Sequence, residues 1–504
     1  MNLYQHISHF SLSQPFKTAF VCNEQTLTYA DLESQSNALS VYLSTHLPND
    51  HSPIIVYGHM EPEMIVSFLG VVKSGHPYIP VDSSFPLERI EQIIQNSNAC
   101  LVIDVTSSLL DCKDTSIMNS STWHEAITRN QGNSLPSSYY VYGDDTFYII
   151  YTSGSTGNPK GVQIPYSSLE SFTNWAVHDF SLSSSQHFLN QAPFSFDLSV
   201  MDLYPSLVTG GTLFALSKEL MIHPKKMFDY IQSSSLHIWT STPSFMEYCL
   251  AEPSFSSKHF PSLHTFLFCG EVLSVSTVQL LKSRFPSARI FNTYGPTEAT
   301  VAVTSIEVTE KLLSTYDVLP IGTCKKDCEI RIVKDDGTLA SPGEKGEMVI
   351  LGPSVGKGYL NEEEKNKHSF PSIDGKNAYK TGDAGYIKDH FLFYGGRMDL
   401  QVKVNGYRME IEEIEHHLRA VHYVKSASVL PVFKEGKCDH LVAVFVAANH
   451  LFEKEFQLIS AIKKEMATYV PTYMIPRKFI QKQQLPITQN GKIDRKLLTQ
   501  EVIK

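Results

Sequence analysis

The chain is 504 residues long, too much for one ordinary hydrophobic core, so two or more domains are expected. Its 42% hydrophobic and 19% charged residues fit a folded globular protein rather than a disordered one. A formal net charge of −10 argues against nucleic acid or an acidic membrane surface as the main partner, but leaves open a local phosphate site built from backbone N–H groups.

The opening Met1-Asn2-Leu3-Tyr4-Gln5-His6 has no basic stretch followed by an apolar run, so no signal peptide is expected. Short β-rich runs then alternate with longer mixed segments, the pattern of a parallel α/β fold. Phe147-Tyr148-Ile149-Ile150-Tyr151, Thr265-Phe266-Leu267-Phe268 and Arg289-Ile290-Phe291 read as buried strands, each followed by a polar loop containing glycine. Those loops fall at strand carboxyl ends, where open α/β sheets bind ligands. Met348-Val349-Ile350-Leu351 suggests a later β-rich subdomain. Beyond Gly395-Gly396-Arg397-Met398-Asp399 the pattern changes. Ile411, Ile414 and Leu418 share one helical face, as do Leu458, Ile462 and Met466, with the strand-like Leu441-Val442-Ala443-Val444-Phe445-Val446 between them. The expected class is therefore α/β: a large N-terminal domain (1–398) of parallel α/β subdomains plus a β-rich subdomain, and a small α+β C-terminal domain (399–504). Apolar stretches such as Leu441 to Ala448 are strand-length, so no membrane insertion is expected. The eight cysteines are scattered, without the paired C-x-x-C spacing of a zinc site, and read as reduced thiols of a cytoplasmic enzyme.

The stretch Thr152-Ser153-Gly154-Ser155-Thr156-Gly157-Asn158-Pro159-Lys160 carries the most information. Glycines allow close backbone approach, hydroxyls donate to phosphate oxygens, and Lys160 adds positive charge. It is not a Walker A motif, because no Lys-Ser or Lys-Thr pair follows at the required spacing. A flexible surface loop is the plain alternative, but small residues, hydroxyls, Pro and Lys coincide directly after an apolar strand.

This stretch resembles the signature loop of the adenylate-forming (AMP-binding) superfamily. Further motifs of that family follow the same order along nearly the whole chain: Lys73-Ser74-Gly75-His76-Pro77-Tyr78-Ile79-Pro80, Asn292-Thr293-Tyr294-Gly295-Pro296-Thr297-Glu298, Thr381-Gly382-Asp383, Gly396-Arg397-Met398-Asp399 and Asn490-Gly491-Lys492-Ile493-Asp494-Arg495. The chemistry implied is attack of a carboxylate on the α-phosphate of ATP, in which two anions need positive charge and alignment. The resemblance implies that Thr152 to Lys160 and Thr297 contact phosphates and that Glu298 helps hold Mg²⁺. Asp383 and Arg397 match the ribose positions, with Tyr394, Gly395 and Gly396 beside them. Gly270-Glu271 and Asn292 to Pro296 surround adenine, with Tyr294 as its stacking face. Lys492 matches the catalytic lysine that bridges substrate carboxylate and phosphate. Because Lys492 lies in the small domain, that domain is expected to be mobile, swinging about Asp399.

Asp197 matches the position that pairs a substrate α-ammonium in amino-acid-activating members; its plain alternative is a cap. An acyl- or aryl-CoA ligase, the same chemistry with another acceptor, has no ammonium to neutralise, and a buried unpaired carboxylate would be costly there. A non-catalytic nucleotide sensor would have no need of Lys492. Met201, Leu267, Cys269, Thr293, Val301 and Ala302 would line a small apolar pocket, narrowed by Cys269. The residues alone imply a substrate that is small, apolar and cationic at one end; the resemblance implies D-alanine, destined for teichoic acids. No carrier sequence follows Arg495, so the acceptor implied is the phosphopantetheine thiol of a separate carrier protein. Val404-Asn405-Gly406-Tyr407-Arg408 matches the segment that faces the site during thiol transfer, and Asn-Gly is also a strong hairpin signal.

Overall fold

The apolar run after Thr146 forms the strand Thr146–Thr152, one of seven in a sheet whose parallel centre is Tyr78–Asp82, Ile54–Gly58 and Leu101–Asp104. These strands are buried on both faces, which is why they read as continuous apolar sequence rather than alternating. The computed structural model describes the chain except for residues 49, 107–109, 113–114, 155–156, 435, 488–492 and 504. It divides into two units. One comprises Met1–Ser83, Ile94–Tyr151 and Gly161–Met398; the other comprises Ser84–Ile93, Thr152–Lys160 and Asp399–Lys504.

Within the first unit, a nine-stranded sheet is parallel from Arg289–Tyr294 through Thr265–Phe268, Ile238–Ser241, His187–Asn190 and Thr212–Ala215 to Thr18–Cys22. Antiparallel strands close both edges. Side chains from both large sheets meet in one apolar core that includes Phe20, Ile54, Phe68, Phe147 and Phe188. The helix Leu198–Val208 runs through this core with every residue from Leu198 to Leu207 buried, as expected of a helix apolar on nearly all sides. Its one acidic residue after the cap is Asp202. Glu329–Val333, Gly346–Leu351 and Lys376–Lys388 build the expected β-rich part as an antiparallel sheet, to which Phe391–Arg397 adds by pairing with Lys376–Lys388.

In the second unit, Gln401–Val404 and Tyr407–Glu410 pair as a hairpin across Asn405 and Gly406. Both turn residues have positive φ, 52° and 84°, so the Asn-Gly pair makes the two-residue turn that matches strand twist. Ile411, Ile414 and Leu418 of the helix Ile411–Ala420 and Leu458, Ile462 and Met466 of Glu455–Tyr469 bury against Val429, Ala443 and Phe445 of the sheet strands. The helical periodicity in the sequence therefore marks two core-facing stripes.

Candidate active site

Because the parallel strands of the nine-stranded sheet share one direction, Gln191–Asp197, Thr242, Cys269–Glu271 and Gly295–Val301 all leave from one edge. That edge is where such sheets place ligands. Asp197 occupies the cap position of the helix Leu198–Val208 but makes no capping hydrogen bond. Its charge acts on Tyr148, whose phenol is held well above its ordinary range, first by burial, then by Tyr78 and Asp197.

Met201, Leu267, Cys269, Val301 and Ala302 belong to one buried apolar cluster, and the Cys269 thiol points its hydrogen at the Val301 carbonyl (3.8 Å). Thr293 donates its hydroxyl to the Phe268 carbonyl at 2.8 Å, which commits its polar end to the sheet. The backbone here departs from what these residue types prefer. Thr300 and Val301, both β-branched, have φ of 56° and 68°, and the Ala302 N–H donates to the Thr300 carbonyl at 2.8 Å. A β-branched residue in this region is strained, and such strain gathers at ligand-handling segments. Gly295 must be glycine: a Cβ there would stand 2.5 Å from the Ala302 Cα.

Glu298, in the single 3₁₀ turn Thr297–Ala299 that follows Pro296, is fully buried and accepts the Tyr359 hydroxyl at 2.8 Å. Tyr359 escaped the sequence reading because a tyrosine after a Gly-rich stretch has no distinguishing local signal. Asp383 is pinned at both oxygens: Tyr294 donates to Oδ2 at 2.6 Å and Arg397 to Oδ1 at 2.9 Å, while Arg397 also donates to the Thr381 carbonyl at 2.8 Å. Burial, then the neighbouring Asp383 charge, hold the Tyr294 phenol well above its usual range. The Tyr394 ring lies 6.2 Å from that of Tyr294, and Gly395 and Gly396 continue its strand to Arg397. Asn292 donates its amide to the Pro320 carbonyl at 2.8 Å and Glu271 accepts the Ser244 N–H at 3.0 Å, so part of each is spent on the scaffold. Gly270 has φ of 95°.

The described part of the loop Thr152–Lys160 belongs to the second unit. The Gly154 N–H donates to Glu413 Oε2 at 2.9 Å, and Arg89 donates to Glu413 Oε1 at 2.8 Å. Ser153 donates to the Arg408 carbonyl and accepts the Glu410 N–H, both at 3.2 Å. Lys160 lies 3.6 Å from Glu410 Oε1, and His417 donates Nε2–H to the Gly157 carbonyl at 3.3 Å. A Cβ on Gly154 would stand 2.1 Å from the Asn158 carbonyl oxygen, so the loop can only fold this way with glycine. Loop donors suited to an anion are thus met here by carboxylates. Sequence spacing could not reveal Arg89 with Glu413, 324 positions apart. Ser155, Thr156 and Lys492 lie outside the described residues.

A family described as AMP-binding enzyme matches residues 8–360, and the chain belongs to it. Proteins called D-alanine–D-alanyl carrier protein ligase from Bacillus cereus and Bacillus thuringiensis are each 54% identical to it over 502 residues, covering 100% of both chains. The fold is also that of a Vibrio cholerae adenylation domain solved with glycyl-adenosine-5'-phosphate (TM-score 0.84, 23% identity, 99% of this chain and 97% of that one). It is shared with o-succinylbenzoate CoA synthetase of Bacillus subtilis (TM-score 0.83, 20% identity, 98% of both chains).

Proposed function

We propose that this chain activates D-alanine with ATP as D-alanyl-adenylate and passes the aminoacyl group to the phosphopantetheine thiol of a separate D-alanyl carrier protein, for D-alanylation of teichoic acids. The observation that carries this reading is the full-length 54% identity to ligases of that name. Asp197 supports it from the residues: a half-buried carboxylate, unused as a cap, at the carboxyl edge of the sheet suits a substrate ammonium.

In this reading the D-alanine carboxylate attacks the α-phosphate and pyrophosphate leaves. Asp383, immobilised by Tyr294 and Arg397, takes the ribose hydroxyls, with Tyr294 and Tyr394 beside the base. Met201, Cys269 and Val301 bound the methyl pocket. Lys492 neutralises carboxylate and phosphate as the new bond forms. Mg²⁺ binds with few protein carboxylates plus substrate phosphates, and the fully buried Glu298, steadied by Tyr359, fits that demand. When bound, the ion would neutralise phosphate charge. Thiolysis of the adenylate then joins the carbonyl carbon to sulfur and releases AMP, with the Gly406 turn giving the pantetheine arm close passage. Work on ATP and a carrier thiol belongs to the cytoplasm, and no described helix is long and apolar enough to cross a membrane.

An ATP–pyrophosphate exchange screen tests the substrate. Exchange is expected to be strongest with D-alanine, about 10- to 200-fold weaker with L-alanine, since methyl placement is worth only ~1–3 kcal/mol, and absent with acetate or benzoate. Strong exchange with benzoate and none with any amino acid would replace this reading with an aryl-CoA ligase.

A further inference from the structure

The helix that starts at Asp197 carries a second acid that the reaction does not use. Asp202 is fully buried, and neither carboxyl oxygen has a hydrogen-bond partner among the described residues. The helix packs against the strands His187–Asn190 and Ile238–Ser241. From their ends Asn190 Oδ1 and Thr240 Oγ1 are likewise buried and unsatisfied, as is Ser195 Oγ in the loop leading to Asp197. Such a concentration of orphan polar atoms inside a core is costly, and it calls for a missing donor.

The donor budget is easy to follow. Asn190 donates one N–H of its NH₂ to the Ala192 carbonyl at 3.0 Å, which orients the amide and leaves Oδ1 as a buried acceptor without a partner among the described residues. An ionised Asp202 is acceptor-only and has nothing to offer that oxygen. A protonated Asp202 donates O–H to Asn190 Oδ1 and accepts the Thr240 hydroxyl on its other oxygen. One proton satisfies all three side chains. Burial raises the Asp202 pKa well above the ordinary carboxylate range and outweighs the lowering influence of Thr240 and Asn190, and no charged side chain among the described residues is a cause of the shift.

We propose that Asp202 is a positioning residue held as a neutral carboxylic acid, tying the helix behind Asp197 to Asn190 and Thr240 and so fixing the carboxylate that receives the substrate ammonium. Asn190 is the link, since the amide that receives the Asp202 proton also holds Ala192, in the loop that continues through Ser195 to Asp197. The two acids are five residues apart on one helix, about 7.5 Å along its axis. Their environments divide the work: one stays charged for the ligand, the other stays neutral for the scaffold, and a neutral Asp202 adds no second charge to compete for the ammonium.

The functional part of this inference rests on the amino-acid reading above; the protonation does not. Infrared difference spectra at pH 7 between the wild-type protein and Asp202→Asn should show a carboxylic-acid carbonyl band that shifts in D₂O. Absence of that band, or a dependence of activity on Na⁺ or K⁺ in its place, overturns the proposal in favour of an ionised Asp202 with a buried cation. In exchange kinetics Asp202→Asn, whose amide also presents an N–H to Asn190 and a carbonyl oxygen to Thr240, should keep the D-alanine KM within about threefold. Asp202→Leu should raise it about tenfold or more with little change in the ATP KM, because small displacements of a positioned group are expensive. Thr240→Val, which keeps the shape and removes the hydroxyl, should shift the D-alanine KM in the same direction and covers the case that Asp202→Leu fails to fold. Equal loss of function in Asp202→Asn and Asp202→Leu would also overturn the proposal. If the wild-type protein activates no amino acid, the function fails while the infrared result still decides the proton.

Discussion

Asp383 and Gly154 are both given to the nucleotide in the function proposed above, yet the protein prepares them in opposite ways. Asp383 is braced by Tyr294 and Arg397, groups from its own unit that support the carboxylate and can stay in place when ribose hydroxyls arrive. The Gly154 N–H, by contrast, is met by the Glu413 carboxylate, and Lys160 lies near Glu410. A phosphate can use these donors only by displacing the carboxylates. In the proposed reading, the first arrangement suits a ligand that stays through the reaction, and the second an anion that must come and go.

The largest expected effect comes from breaking the braced side. Asp383→Ala leaves the Arg397 guanidinium and the Tyr294 hydroxyl facing a buried gap, a loss of about 3–5 kcal/mol. The KM for ATP should rise by about 10² or more, and urea denaturation should show the loss of stability. An ATP KM within about twofold of wild type would detach this carboxylate from ribose binding. Next in size, Lys492→Ala should lower adenylate formation by about 10²–10³, while transfer from supplied D-alanyl-adenylate to the carrier persists. Equal loss in both half-reactions, in a folded variant, would argue against separate placements of the small domain for the two steps.

Glu413→Gln sharpens the contrast from the exchange side. Glu413 accepts from Arg89 on one oxygen and from Gly154 on the other, so glutamine removes the charge and can accept from only one of them. Pyrophosphate should then inhibit carrier loading about 3- to 10-fold more tightly, while the unpaired buried Arg89 lowers stability in urea denaturation. Unchanged product inhibition would mean that Glu413 and phosphate do not compete. The smallest effect is a control outside both regions, at the amino-terminal edge of the nine-stranded sheet. There His237 Nδ1 accepts the His187 N–H at 3.0 Å, and burial, then His187 and His264, lower its pKa. A depressed folded-state pKa gives stability that is complete above the unfolded value near 6.5 and is lost as pH falls through the folded value. At this half-exposed site solvent screening keeps the contribution small. Thermal midpoints between pH 7.5 and 5.5 should fall less steeply in His237→Gln; identical slopes would remove this histidine from the pH response.

What was legible in the sequence follows the range of the forces involved. The Asn405–Gly406 hairpin and the stripes of Ile411, Ile414 and Leu418 are local, and their periodicity and turn chemistry are written in consecutive residues. Asp197 came from its match to the family position, to which its apolar flanks added a signal. By the same signal Asp202 was readable: it is the only acid between Leu198 and Val208. The grouping of Ser84–Ile93 and Thr152–Lys160 with the chain after Met398 was not readable, because it depends on pairs such as Arg89 with Glu413. The left-handed turn at Thr300 and Val301 was hidden for another reason. Propensity would place glycine there, and the chain spends strain instead.

That turn has a consequence for redesign. Val301 is at once a candidate wall of the substrate pocket and a residue whose backbone would relax if its side chain were removed. Val301→Gly would release about 1–3 kcal/mol of strain, but it removes a fully buried core side chain and leaves a cavity that costs about 2 kcal/mol or more, so a wider pocket here comes with no gain in stability. A library screened for robustness alone would therefore tend to keep valine at this position, and variants of broader substrate tolerance must be sought by scoring activity directly.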